Sequence, residues 1–163
     1  MTIPWSESYF GQLRALAGDR TLLLTATRLV LRDASGRLLL IRRSDNGVWA
    51  VPAGAMELGE SIADCAVREL WEETGLQATR VTPYALHTGA DYTERNMFGD
   101  RYQHFVVLFR VDEWYGELVR QTDETTDARF FPQGTMPRPI AATTTETLAD
   151  LTTFESTGHL VLK

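Results

Sequence analysis

Glu69, Glu72 and Glu73 stand at positions i, i+3 and i+4 of one short segment. If that segment is helical, the spacing puts three carboxylates on one face. Ala63, Ala66, Val67 and Leu70 fall on a second face that is apolar, and Arg68 borders the acidic one. The helix would then have a core side and an acidic side. Like charges at these spacings destabilise an isolated helix by about a few tenths of a kcal/mol per pair. Their place near the negative C-terminal end of the helix adds to the cost. A divalent cation is the simplest compensation, since carboxylate oxygens suit Mg²⁺, Mn²⁺ or Ca²⁺. The plainer alternative is a solvated charged face.

The flanks add to the pattern. Gly54, Glu60, Arg68, Glu69, Leu70, Glu72, Glu73, Gly75 and Leu76 stand in the spacing G-x5-E-x7-R-E-L-x-E-E-x-G-L, preceded by Trp49-Ala50-Val51-Pro52-Ala53. This resembles the Nudix box, the signature of the Nudix hydrolase family, with every fixed position present. The resemblance implies an α/β/α sandwich with a mixed β-sheet. It also implies a hydrolase that uses Mg²⁺ or Mn²⁺ to cleave a nucleoside diphosphate linked to another moiety. Glu72 and Glu73 would be metal ligands. Glu69 would bind metal or activate the attacking water, held by Arg68. Glu60 would support the loop or help a second metal. The carbonyl of residue 53, here Ala53, would join the coordination shell. Neighbouring readings are a dinucleoside polyphosphate or (oxidised) nucleoside triphosphate pyrophosphohydrolase, or a nucleotide-binding module that no longer catalyses. The last is disfavoured because no box acid is missing.

The chemistry stands without the family. A diphosphate is an anion that repels hydroxide; divalent ions neutralise it and make bound water more acidic.

Further residues fall outside the box. Arg42 and Arg43 end a strand, and alternation sends them to opposite faces. Arg43 is the expected phosphate contact, by resemblance to substrate-contacting arginines at this place. Glu124 lies in a loop where many members carry an additional metal or base carboxylate, with Asp123 and Asp127 as competitors. Tyr92 follows Leu76 at the distance where dinucleoside polyphosphate hydrolases carry a marker tyrosine, and is the expected substrate contact on that resemblance. Trp49 is expected to pack under the box loop, and Trp5 to be core or subunit interface, which leaves a homodimer open. His87, His104 and His159 have no partner at metal-ligand spacing and read as structural or surface residues. Cys65 reads as a small packing residue.

These groups must be positioned by the elements around them. Residues 6–17 have helical spacing with Ser6 as N-cap and Gly18 as stop. Residues 21–32 and 37–43 read as an antiparallel hairpin about the turn Asp33–Gly36. Residues 44–60 form a long connection of the kind that is usually functional. Residues 61–74 read as the acidic helix, ended by Gly75. Strand-like runs follow at Thr79–His87, Tyr102–Val111 and Asp127–Phe131, with Asn96–Asp100 a turn. Residues 145–155 read as a closing helix with Leu148 and Leu151 inward. Strands on both sides of one helix, with helices at both ends, predict a mixed sheet between helical layers.

The 163 residues suit one domain, taken as 1–163. Apolar content is 44% and charged content 23%, enough for a core and ordinary for a globular chain. One cysteine rules out an internal disulfide framework and fits a reducing cytoplasm. Apolar stretches fall well short of the ~20 residues of a membrane span, and residues 1–20 lack a signal-peptide layout. The net charge of −6 argues against a nucleic-acid partner and leaves a small nucleotide as the expected one. Fifteen arginines stand against a single lysine, Lys163. Residues 54–76 hold six acids (Glu57, Glu60, Asp64, Glu69, Glu72, Glu73) against Arg68, nearly the whole imbalance.

Overall fold

The computed structural model describes residues 4–96 and 98–163. Residues 1–3 and Met97 lie outside the described residues, and with them the start of the segment read for a signal peptide and one position of the Asn96–Asp100 turn. The elements run α1 (Tyr9–Ala17), β1 (Leu22–Leu31), β2 (Leu38–Arg43), β3 (Trp49–Ala50), β4 (Ala53–Ala55), α2 (Ile62–Thr74), β5 (Gln77–His87), β6 (Thr93–Arg95), β7 (Arg101–Tyr115), β8 (Thr125–Phe131), α3 (Ala142–Thr157) and β9 (Val161–Leu162). A single 3₁₀ turn, Ala90–Tyr92, precedes β6.

The main sheet has the order β4-β1-β7-β5-β9, with β6 sharing an edge of β7. β1 runs parallel to β7 and antiparallel to β4, while β5 pairs antiparallel with β7 and parallel with β9. A smaller antiparallel sheet has the order β3-β2-β8. Alternation along the central strands makes two cores. Leu24, Ala26 and Val30 of β1 join Tyr84, Leu108 and Leu151 of α3 on one face. Leu29 and Leu31 join Val107, Phe109 and the α2 residues Ala66 and Leu70 on the other. Helices therefore cover both faces of a mixed sheet, an α/β/α sandwich. Each fully buried leucine contributes roughly 1.5–3 kcal/mol relative to exposure.

Three expectations are corrected. The turn at Asp33 forms, with Ser35 N and Arg37 N each donating to Asp33 Oδ1 at 2.9 Å. Yet β1 and β2 do not form a hairpin. They part after the isolated bridge Arg32–Leu38 and enter different sheets. β7 takes one edge of β1 along Leu22–Leu31 and β4 takes Ala26–Arg28 on the other, while β2 pairs with β8. The connection 44–60 is also less irregular than expected, because β3 and β4 form within it. The N-terminal helix starts later than expected, capped by Ser8, whose side chain accepts from Gly11 N. No helix among the described residues is long and apolar enough to cross a membrane.

Candidate functional site

Helix α2 is capped at both ends by its own sequence. Ser61 Oγ accepts from Asp64 N at 3.1 Å, and Asp64 Oδ2 accepts from Ser61 N at 3.2 Å, a reciprocal capping box. At the other end Gly75 adopts φ +73°, and its N–H donates to Trp71 O at 2.7 Å. With its apolar face in the core, α2 presents its acidic edge to β4. Glu69 and Glu73 are only 7% and 3% exposed.

The contact between α2 and β4 depends on Gly54. A Cβ at residue 54 would lie 1.8 Å from Glu69 Cδ, so only glycine admits the carboxylate there. One residue earlier, Ala53 N donates to Glu73 Oε2 at 3.0 Å. Arg68 gathers the remaining acids. Its Nη1 donates to Glu69 Oε1 at 2.8 Å and to Glu72 Oε2 at 3.0 Å. Its Nη2 and Nε take both oxygens of Glu60, at 2.7 and 2.9 Å, and Nη2 also reaches Ala55 O at 3.0 Å. The box loop is thus tied to the helix through one guanidinium.

The electrostatics are those of a site short of positive charge. Burial raises the Glu69 carboxyl to about 7 although Arg68 pulls it down, with Glu124 and Glu72 adding repulsion. Burial, then the charge of Glu69, holds Glu73 well above the ordinary carboxylate range. Glu124 is raised by desolvation and by Glu72. Glu60 goes the other way: burial raises it, but the hydrogen bonds from Arg68 and Glu57 N bring it below its ordinary value.

Glu69, Glu72, Glu73, Arg68, Ala53, Gly54, Arg43 and Glu124 line one cavity of about 710 Å³. Arg43 reaches it while paired with Asp45, through Nη2–Oδ2 at 2.7 Å and Nε–Oδ1 at 3.0 Å. Arg42 turns away to a separate cavity with Arg120 and Arg129. Trp49 is buried under the loop, edge-on to Phe131 at 5.0 Å. Tyr92, expected at the substrate, is not among the residues that line this cavity. Its ring stacks on His87 at 4.7 Å, and its hydroxyl donates to Glu146 Oε1 at 3.0 Å. The 3₁₀ turn after β5 directs it toward α3 rather than toward the box.

Sequence reasoning missed that second polar group, whose members are too far apart to form a motif. His87 is fully buried, with Nε2 2.6 Å from Asp150 Oδ2 and Nδ1 4.0 Å from Glu146 Oε2. Among the described residues these three form the one set of possible metal ligands whose donor atoms lie within 4.8 Å of one another. Lys163 Nζ already bridges the carboxylates, at 2.8 Å to Asp150 and 3.0 Å to Glu146. An ammonium thus supplies the positive charge that a metal would, and the group ties α3 and β9 to the end of β5. Also missed was that Trp5, Phe98 and Asp100 line the same cavity as the box residues. Only the exposed aromatic in the Asn96–Asp100 turn could have signalled it.

Comparison with known proteins follows the same lines. The NUDIX domain family model matches residues 22–151. A MutT-like protein of Streptomyces ambofaciens is 51% identical over 49 residues, 30% of this chain and 31% of that protein. An ADP-ribose pyrophosphatase of Methanocaldococcus jannaschii is 30% identical over 110 residues, 65% of this chain and 60% of that protein. The chain therefore spans between about a third and three fifths of the length of these curated relatives. The crystal structure of MutT NUDIX hydrolase from Burkholderia pseudomallei superposes with a TM-score of 0.66 at 21% identity, over 81% of this chain and 99% of that one, a likeness of fold. With a family model that covers most of its length and a sandwich of the same architecture, the chain belongs to the Nudix family.

Proposed function

We propose that the protein is a Mg²⁺- or Mn²⁺-dependent hydrolase that cleaves the pyrophosphate linkage of a nucleoside diphosphate joined to another moiety. One observation carries this reading: the helix-borne carboxylates Glu69, Glu72 and Glu73 share a single cavity with the cationic Arg43 and with Glu124. The name of the archaeal relative, an ADP-ribose pyrophosphatase, supports the same class of bond. The donor set fits a hard divalent cation, being carboxylates and a backbone carbonyl with no thiolate or imidazole. The raised carboxyls of Glu69 and Glu73 fit as well, since a cation relieves the repulsion and desolvation that raise them.

In this reading Glu72, Glu73, the Ala53 carbonyl and Glu124 hold metal, where it supplies positive charge against the diphosphate oxygens and makes water more acidic. Glu69 accepts the proton of the attacking water, or binds metal beside it. Arg68 holds its Oε1, which leaves Oε2 for that role. Glu60 positions Arg68 through both oxygens. Arg43 binds a substrate phosphate, which competes with Asp45 for the guanidinium. The chain would act as a single domain in the cytoplasm, where its one cysteine, Cys65, is a buried free thiol.

The test is turnover of nucleotide sugars, ADP-ribose, dinucleoside polyphosphates and nucleoside triphosphates with Mg²⁺. Glu72→Gln should keep the fold and lower turnover of the best substrate by roughly 10²-fold or more, the scale of losing one group that acts on the transition state. A folded Glu72→Gln protein that turns over at the wild-type rate overturns the assignment. Tight nucleotide binding without release of phosphate or monophosphate would point to a binding module.

A further inference from the structure

We propose that Trp5 and Phe98 form the recognition surface for the nucleobase of the substrate, in the cavity that holds the box carboxylates. Both side chains line that cavity, and both are exposed, Trp5 at 53% and Phe98 at 78%. A large aromatic ring left in water forgoes the burial that is its main contribution to stability. Here the two backbones are nevertheless built rather than loose. Trp5 O accepts from Ser8 Oγ at 2.8 Å and from Ser8 N at 3.2 Å. Gly11 packs so closely on it that a Cβ would meet Trp5 O at 1.6 Å. On the other side, Asn96 Oδ1 accepts from both Phe98 N, at 3.0 Å, and Asp100 N, at 2.9 Å.

Helix α1 braces both aromatic positions against the reacting end. Tyr9 N, in its first turn, donates to Glu57 Oε2 at 2.8 Å, and Glu57 N donates to Glu60 Oε1, the partner of Arg68. Arg14 Nε pairs with Asp100 Oδ1 at 3.3 Å, its Nη2 donates to Arg101 O at 3.0 Å, and its guanidinium lies 4.6 Å from the Tyr102 ring. One helix thus ties the Trp5 turn, the box loop and the tip of the β6–β7 hairpin into a fixed frame, the condition for a precise binding site.

The surrounding charge says which part of a substrate fits. Glu57 and Asp100 also line the cavity, and their charge disfavours a further phosphate beside them and suits the hydroxyl and amino donors of a nucleoside. Flat rings beside carboxylate acceptors match a base and its ribose. The inference rests on the box acting on a nucleotide, and deepens that reading by naming the residues that select the base.

The experiment measures binding of the four nucleoside 5′-monophosphates against ribose 5-phosphate, by calorimetry and by quenching of indole emission. These probes contain no phosphoanhydride, so a failure here leaves the hydrolytic reading standing, and that reading can fail in its own turnover test without touching this one. The wild-type protein should bind at least one monophosphate more tightly than ribose 5-phosphate. Trp5→Ala and Phe98→Ala should each weaken that monophosphate roughly 5- to 100-fold, the range of one lost stacking contact, and leave ribose 5-phosphate unchanged. Trp5→Phe should keep most of the affinity while the indole quenching disappears. Gly11→Ala, which retains both rings but displaces the Trp5 turn, should also lose selectivity. The proposal is overturned if no monophosphate is preferred over ribose 5-phosphate. It is equally overturned if folded Trp5→Ala and Phe98→Ala proteins bind the monophosphates as the wild type does, or lose both ligand types alike.

Discussion

Neutralising Glu69 should stabilise the metal-free protein at alkaline pH. The carboxyl is buried on α2 against Gly54, and burial raises it from an ordinary value of 4.5 to about 7 in spite of Arg68. In the unfolded chain the same group ionises near 4.5. Between that value and about 7 the folded protein keeps a proton that the unfolded chain has released, so stability falls as pH rises through this window. Above it the whole penalty is present. A gap of about 2.5 pH units, at about 1.4 kcal/mol each, amounts to about 3.5 kcal/mol, of which about 3 kcal/mol develops between pH 4.5 and pH 8. Glu69→Gln keeps the shape and still offers Oε1 to Arg68, without the charge. Thermal unfolding with a chelator present would compare variant and wild type at pH 4.5 and pH 8. The melting temperature of the variant relative to wild type should rise between those two conditions by roughly 6–12 °C for a chain of this size. A difference that stays constant across that range, or moves the other way, would refute the claim that the buried charge of Glu69 is a cost carried by the fold.

Three further outcomes follow from the same geometry. Gly54→Ala should displace Glu69, since the new methyl would sit 1.8 Å from its Cδ. The expected loss is about 1–3 kcal/mol of stability, together with most of the hydrolytic rate, read by melting and by turnover. Mn²⁺ or Mg²⁺ should raise the melting temperature, by about 2.7 kcal/mol of stability at a hundredfold excess over Kd, and Glu73→Gln should shrink the gain. Because metal and protons compete for the same oxygens, the rising limb of the activity–pH profile should also move to lower pH as Mg²⁺ increases. A limb that does not move would assign the titration to another group.

What the sequence determined by itself is local. The α2 helix, its capping box at Ser61 and Asp64, its left-handed exit at Gly75 and its division into apolar and acidic faces all arise from interactions within about four residues. The structure keeps the helix, its Gly75 exit and its two faces, and shows the capping box as well. The strand-forming character of residues 22–31, 38–43 and 77–87 is equally local, and so is the presence of helices at both ends.

Partnership was decided only by the tertiary structure. The turn at Asp33 invited a hairpin, but β1 is a central strand whose two edges go to β7 and β4, the first of them far along the chain. Side-chain alternation shows which face of a strand is buried and carries no information about which strand lies beside it. The same limit applies to sites. The box acids were legible because they share one helix, where spacing is geometry. The distribution of the cavity walls was not: it brings Trp5 and Phe98 to the box, and it takes Tyr92 away to His87 and Glu146. Those placements depend on how α1, α3 and the β6–β7 hairpin dock on the sheet. That docking is set by the burial of apolar faces many residues apart and leaves no fixed spacing in the sequence.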